Sequence, residues 1–300
     1  MTTRKTKAVP WRDWLRHLRV HFNLLLTPIW LFGLTIGAAS TGVANPLTQP
    51  STWLAWASLH LFLYGGTTAF NSYYDRDEGP VGGMLHPPGI DPGLLPFSLV
   101  VQAIGLALAL PVGVPFTLAW LTLFAVFTAY SHPAVRLKAH PVSQLASIGL
   151  GQGAVGFALG WLVVAPPSGL TSPGALLHML LTALIVLALY IVTQSYQVEE
   201  DGARGDRTLP VLLGAPRALR LAVLLLAPGG GLLLLDVYRL AGAGLTLTTA
   251  VAFTIVGGWM LTWAARFDAR STNANYGTAM RVSVTSGVTL GAILTVLLLR

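Results

Sequence analysis

The chain contains no cysteine. Disulfides, thiolate metal sites and a cysteine nucleophile are therefore excluded. Charge is almost as scarce. Only 10% of the 300 residues are Asp, Glu, Lys or Arg, where a soluble domain carries about 25%. Length alone would suggest about two soluble domains, but a chain so poor in charge and 54% hydrophobic points instead to one helical bundle in lipid. A cleavable leader is not expected either. The first twenty residues are highly charged and lack an apolar core ahead of a small-residue cleavage site.

What the chain does have is long apolar runs. A helix needs about 20 apolar residues to span a bilayer. Nine stretches qualify, near 22–40, 52–71, 94–112, 115–131, 143–165, 174–197, 218–236, 242–265 and 280–299. Several contain Pro or Gly, which membrane helices tolerate when neighbours satisfy the freed backbone groups. The third and fourth are separated only by a short PVGVP turn. Ahead of them Trp11, Trp14, Leu15 and Leu18 recur at helical spacing, with Arg12, Arg16 and Arg19 on the other side. That pattern suits a helix lying in the membrane interface with its basic face toward headgroups. The expected architecture is an all-α, polytopic membrane bundle of about nine transmembrane helices. Residues 1–20 form a cytoplasmic interfacial segment and 21–300 a single domain.

The formal net charge of +7 could signal nucleic-acid binding, but its placement argues for topology. With a cytoplasmic N-terminus, 16 of the 18 Lys and Arg fall in the N-terminal arm and around the loops after the second, fourth, sixth and eighth runs. Only Arg239 and Arg300 fall outside, and the segments 41–51 and 166–173 have none. This is a positive-inside pattern, and no nucleic-acid partner is expected. The composition, rich in Ala, Leu and Gly, suits a bacterial inner membrane.

The acids are as unevenly placed. Asp75, Asp77, Glu78 and Asp91 follow the second run, and Glu199, Glu200, Asp201 and Asp206 follow the sixth. Both clusters start at the end of an apolar helix, where carboxylates are costly unless paired or bound to a cation. Asn71 and Asp75 are four apart and share one helix face, and Glu78 continues it. Gly79-Pro80 then breaks the helix. In the second cluster Gln197 and Asp201 are four apart, and Gln194 extends the polar stripe toward the membrane. There is a faint repeat: Asn71-Ser-Tyr and Gln194-Ser-Tyr each lie eight residues before a Gly. Hard magnesium takes such oxygens, typically one or two carboxylates plus substrate phosphates. Two clusters facing each other would suit two magnesium ions bridged by a diphosphate. Arg136 and Lys138, after the fourth run, add cations for phosphate oxygens.

These segments resemble the UbiA superfamily of intramembrane prenyltransferases. That family carries N-x-x-x-D-x-x-x-D after helix two, Y-S-x-P-x-x-R-L-K after helix four, and D-x-x-x-D followed by G-x-R-T-L-P near helix six. Asn71, Asp75, Tyr130, Ser131, Pro133, Arg136, Leu137, Lys138, Asp201, Gly205, Arg207, Thr208, Leu209 and Pro210 match. Gly79 and Gln197 stand where acids are usual, and Ser72 replaces a frequent Asp. Asp77, Glu78, Glu199 and Glu200 are the nearby acids able to substitute.

The resemblance implies a helical bundle around a central, lipid-accessible cavity. It implies magnesium as cofactor, held by Asn71, Asp75, Asp77, Glu78, Gln197, Glu200 and Asp201, of which Asn71, Asp75 and Asp201 are catalytic. Arg136, Lys138 and Arg207 would bind diphosphate. Tyr73, Tyr130, Tyr190, Gln194 and Tyr196 would line the cavity. The implied reaction moves a prenyl group from an isoprenoid diphosphate to a lipophilic acceptor, a quinone precursor or another isoprenoid lipid. The alternative is a transporter or a non-catalytic multi-span protein; acids gathered at one membrane face, with no unwound acidic span at mid-membrane, disfavour the transporter.

Overall fold

A computed structural model describes residues 10–300. Residues 1–9 of the N-terminal segment lie outside the described residues. Helices dominate, and no strand forms among the described residues. Among the described residues, eight helical segments are long and apolar enough to cross a membrane: Trp11–Thr41, Leu94–Val112, Val114–Ser131, Pro141–Trp161, Pro173–Gln194, Ala215–Ala241, Ala243–Ala265 and Thr272–Leu298. The second apolar run is a continuous helix over 50–75 but is not among the eight. Its inner part carries Thr67, Thr68, Asn71 and Ser72, so its hydropathy is diluted by the residues that build the site. Counting it, the described residues form nine spans, numbered here in chain order.

Helix ends differ from the apolar runs in a consistent way. The second span continues to Asp75, the seventh begins at Ala215, and the ninth starts at Thr272. Hydropathy marks what lipid covers, whereas backbone hydrogen bonding carries a helix on into the interface. Pro228 sits inside the seventh span without ending it. The sixth span instead stops at Gln194, and Gln197 becomes the residue before a separate short helix, Val198–Arg204. Between the third and fourth spans the chain reverses at Gly113, whose φ of 137° disfavours a side chain.

Side chains are distributed as lipid requires. Leu110, Val114, Leu118, Leu224, Leu247 and Val288 face outward and exposed. Inside, one apolar cluster mainly joins spans one to five around Trp30, Leu34, Trp120 and Phe157. A second mainly joins spans six to nine around Ile191, Leu219, Met260 and Val282. Between lipid-covered helices close packing replaces the hydrophobic effect, so small residues let backbones approach. The first and fifth spans do this reciprocally. A Cβ on Gly33 would strike the Phe157 carbonyl, and one on Gly160 would strike the Trp30 carbonyl.

Two spans widen locally into π-type turns, at Ser58–Leu63 and Ser147–Val155. Such turns shift the side chains that follow and often occur beside functional sites. Here one precedes Tyr64, Thr67 and Asn71, and the other holds Ile148 and Gln152. All five line one cavity.

The helix Trp11–His17 ends before Arg19. Trp11 is exposed and Trp14 donates from Nε1 to Asp91 at 3.3 Å. Arg19 leaves the headgroup-facing side expected for it. Its φ of 46° turns it inward, where it is buried and donates to Ser72 Oγ at 2.7 Å.

The reciprocal glycine contact predicts a contrast between two conservative changes. Gly160→Ala should lower the thermal unfolding midpoint in detergent, in line with about 1–3 kcal/mol for overpacking. Gly231→Ala, where nothing lies within 4 Å of the added carbon, should cause no loss.

Candidate active site

The C-terminal end of the second span presents Asn71 and Asp75 one turn apart on the same helix face. Arg76 ends that helix in a left-handed conformation, with φ 52°, and its N–H bonds the Ser72 carbonyl at 3.0 Å. Asn71 is oriented by donating from Nδ2 to Ser131 Oγ of the fourth span at 2.9 Å. Asp75 pairs with Lys138, and both side chains are only 8% exposed.

Two further ion pairs knit the loops after the second, fourth and sixth spans together, and a third lies within the helix Val198–Arg204. Arg204 donates from Nη1 to Asp77 at 2.5 Å and from Nη2 to Glu200. Arg136 donates to both oxygens of Asp206, at 3.0 and 3.2 Å. Glu200 also accepts from the backbone N–H of Glu78 at 3.2 Å. The two acid-bearing loops are therefore in direct contact.

Several of these groups border a cavity of about 270 Å³. Asn71, Asp75, Asp77, Gln197 and Asp201 line it, with Lys138, Tyr130, Tyr190, Gln194 and Tyr196. Tyr130 and Tyr190 touch through their hydroxyls, and Gln194 donates from Nε2 to Tyr190 at 2.9 Å. Glu78, Glu200, Arg136, Arg207 and Tyr73 are not part of the lining. Glu78 and Arg207 are exposed, Glu200 and Arg136 act on lining residues through their ion pairs, and Tyr73 packs edge-on against Tyr74.

The cavity also takes in residues to which sequence reasoning had assigned no role in the site: Arg19, Arg204, Asp206, Gln144 and Gln152. Arg204 carried a weak signal, lying four residues after Glu200. Arg19 carried none, because only a left-handed turn separates it from the basic face of the preceding helix. Six buried polar atoms of lining residues have no partner: Arg19 Nε, Gln144 Oε1, Gln194 Oε1, the Tyr196 hydroxyl, Thr208 Oγ1 and Ser283 Oγ. Gln144 is held in register by donating from Nε2 to the Lys138 carbonyl at 3.2 Å, which leaves its oxygen for a ligand.

Among the described residues no ion pair reaches Asp201. Burial, and then the nearby charge of Asp206, push its carboxyl from 3.8 up to about 7, with Arg204 opposing. An acid whose folded pKa is raised holds its proton more tightly when folded, so its ionisation weighs against the fold. That penalty is absent below about pH 4 and grows as pH rises to about 7. Without divalent cations, wild-type protein should therefore lose stability between roughly pH 5 and pH 8, and Asp201→Asn should lose less. Thermal unfolding at both pH values checks this; an equal loss in the two chains would contradict it.

Comparison with known proteins fits this geometry. A model of the UbiA prenyltransferase family matches residues 25–285. No curated protein sequence matches. Among solved structures, a UbiA homolog from Archaeoglobus fulgidus bound to DMAPP and Mg2+ superposes with a TM-score of 0.61 at 22% identity, covering 95% of this chain and 99% of that one. The same homolog bound to GPP and Mg2+ gives 0.62 at 22% identity, over 94% and 99%. A structure of digeranylgeranylglyceryl phosphate synthase gives 0.59 at 17% identity, over 96% and 97%. At these identities the structural likeness speaks for the shared fold, and the family match extends over most of the sequence. The protein is an integral membrane protein that belongs to the UbiA prenyltransferase family.

Proposed function

We propose that this chain transfers a prenyl group from an isoprenoid diphosphate to a lipophilic acceptor inside the membrane, with magnesium as cofactor. The observation that carries this reading is the convergence of Asp75, Asp77 and Asp201, from two separate loops, with Lys138 in the lining of one cavity. The cavity's deeper wall is apolar, with Leu25, Ile29 and Leu189. Those three residues also line a second, apolar pocket between the first, sixth, seventh, eighth and ninth spans. A charged head and an apolar tail thus find contiguous surfaces.

The donor set fits magnesium. It consists of carboxylate and amide oxygens, with Asn71 and Gln197 beside the three acids, and Gln194 Oε1 is buried with no partner. No group of three or more His, Asp or Glu among the described residues forms a cage by itself. Magnesium does not need one, because it binds through one or two carboxylates and completes its shell with phosphates and water. Asp75 and Asp201 are the residues we expect to hold it, with Asn71 and Gln197 alongside. Bound there, the ion neutralises charge that builds on the departing diphosphate.

The chain's own groups do the rest. Lys138 is a compact cation on a flexible stem, within reach of a phosphate oxygen once Asp75 is engaged elsewhere. The faces of Tyr64, Tyr130 and Tyr190 border the space where the allylic cation would form, and aromatic faces stabilise cations. The apolar wall keeps out water that would quench it. Gln144 Oε1, buried with no partner, suits an acceptor bearing hydroxyl groups, as a quinone precursor or a glycerol lipid does. The gathering of Lys and Arg around these loops supports an orientation with the N-terminus and the site on the cytoplasmic side.

The test is incubation of purified protein with Mg2+, prenyl diphosphates of increasing length and a panel of hydroxyl-bearing acceptors, with products identified by mass spectrometry. Turnover should vanish with EDTA. Asp75→Ala and Asp201→Ala should each lose at least about 100-fold in kcat, the scale for removing one electrostatic stabiliser, while remaining folded. Full activity in either variant would refute the assignment.

A further inference from the structure

The two acid motifs each lack one acid, at Gly79 and Gln197, and the fold fills the gap at Gly79 in an unusual way. The Glu200 carboxylate lies 2.6 Å from where a Cβ on Gly79 would stand. The second loop therefore brings an acid to the place where the first loop has none. Between this acid and Asp77 lies a guanidinium, since Arg204 bonds Asp77 through one nitrogen and Glu200 through another. Arg204 and Asp77 both line the cavity.

We propose that the Arg204 guanidinium stands in for one of two divalent cations, so that this protein binds a single magnesium ion, at Asp75 and Asp201. The inference rests on the prenyl-transfer reading above. Two acidic loops brought face to face repel each other and need positive charge between them. At Asp77 and Glu200 the chain supplies that charge itself, in a form that is always protonated and geometrically forked. A metal bridging Asp77 Oδ1 and Glu200 Oε1 would have to displace the two charge-assisted hydrogen bonds that Arg204 makes to them.

The contrast with Lys138 supports the division. Lys138 makes one ion pair, to Asp75, and an ammonium on four methylenes swings away at little cost. Arg204 is held at both ends and spans the two motifs, as a bridging ion would. Asp201 has no ion pair among the described residues, so an oxygen position is open for the metal on that side.

Counting bound metal tests this directly. Full-length protein is titrated with Mn2+ in the presence of methylenediphosphonate, and free Mn2+ is read by electron paramagnetic resonance. The expected result is one Mn2+ per wild-type chain and two per Arg204→Ala chain. A role for Arg204 as a loop strap alone would leave the count unchanged. Arg204→Gln, which keeps a hydrogen-bonding amide, should also bind two and serves if the alanine variant does not fold. Two Mn2+ in wild type, or one in a folded Arg204 variant, overturns the inference. If wild type forms prenylated product yet binds two Mn2+, only this inference falls. If it binds none and forms no product, the prenyl-transfer reading falls with it.

Discussion

A carboxylate at the edge of a membrane must find positive charge, and this requirement organises the end of the bundle that carries the site. Asp75 meets Lys138, Asp77 meets Arg204, and Asp206 meets Arg136. Each pair joins two different loops, so the loops after the second, fourth and sixth spans are tied together by the charges that form the site. Breaking one side of a buried pair costs more than the pair contributes, because the other charge is left uncompensated. The loop positions are thus strongly specified even though little apolar surface holds them.

The same rule operates at the other end of the bundle. His178 faces the Gly174 carbonyl at 2.7 Å through Nδ1 and Asp236 at 2.9 Å through Nε2. Phe157 stacks on the imidazole and Phe32 meets it edge-on. A polar contact between the sixth and seventh spans is thereby sealed from lipid.

Between these ends the helices are shaped to leave room. Reciprocal glycines pull the first and fifth spans together, while π-type turns in the second and fifth spans redirect the side chains that follow. Close approach at Gly33 and Gly160 and local widening at the π-type turns leave a bundle with a hollow beside the acid-bearing loops. The hollow is lined by amides and hydroxyls as well as acids, and some of those amide oxygens have no partner within the protein.

Much of this was legible in the sequence. Charge depletion and apolar runs indicate the class, and nine runs correspond to the nine helical spans, because burial in lipid is a local property of composition. The asymmetry of Lys and Arg indicates an orientation for the same reason. The ordered segments around Asp75, Lys138 and Asp201 indicate the family. What sequence could not show is which charges meet. Arg204 lies 127 residues from Asp77, and Arg19 reads as one more headgroup-facing cation until a single left-handed residue turns it inward. Gly79 looks like a missing ligand until Glu200 is seen occupying its space. Ion pairing depends on distances across the bundle, and those exist only once helix packing has brought the loops together.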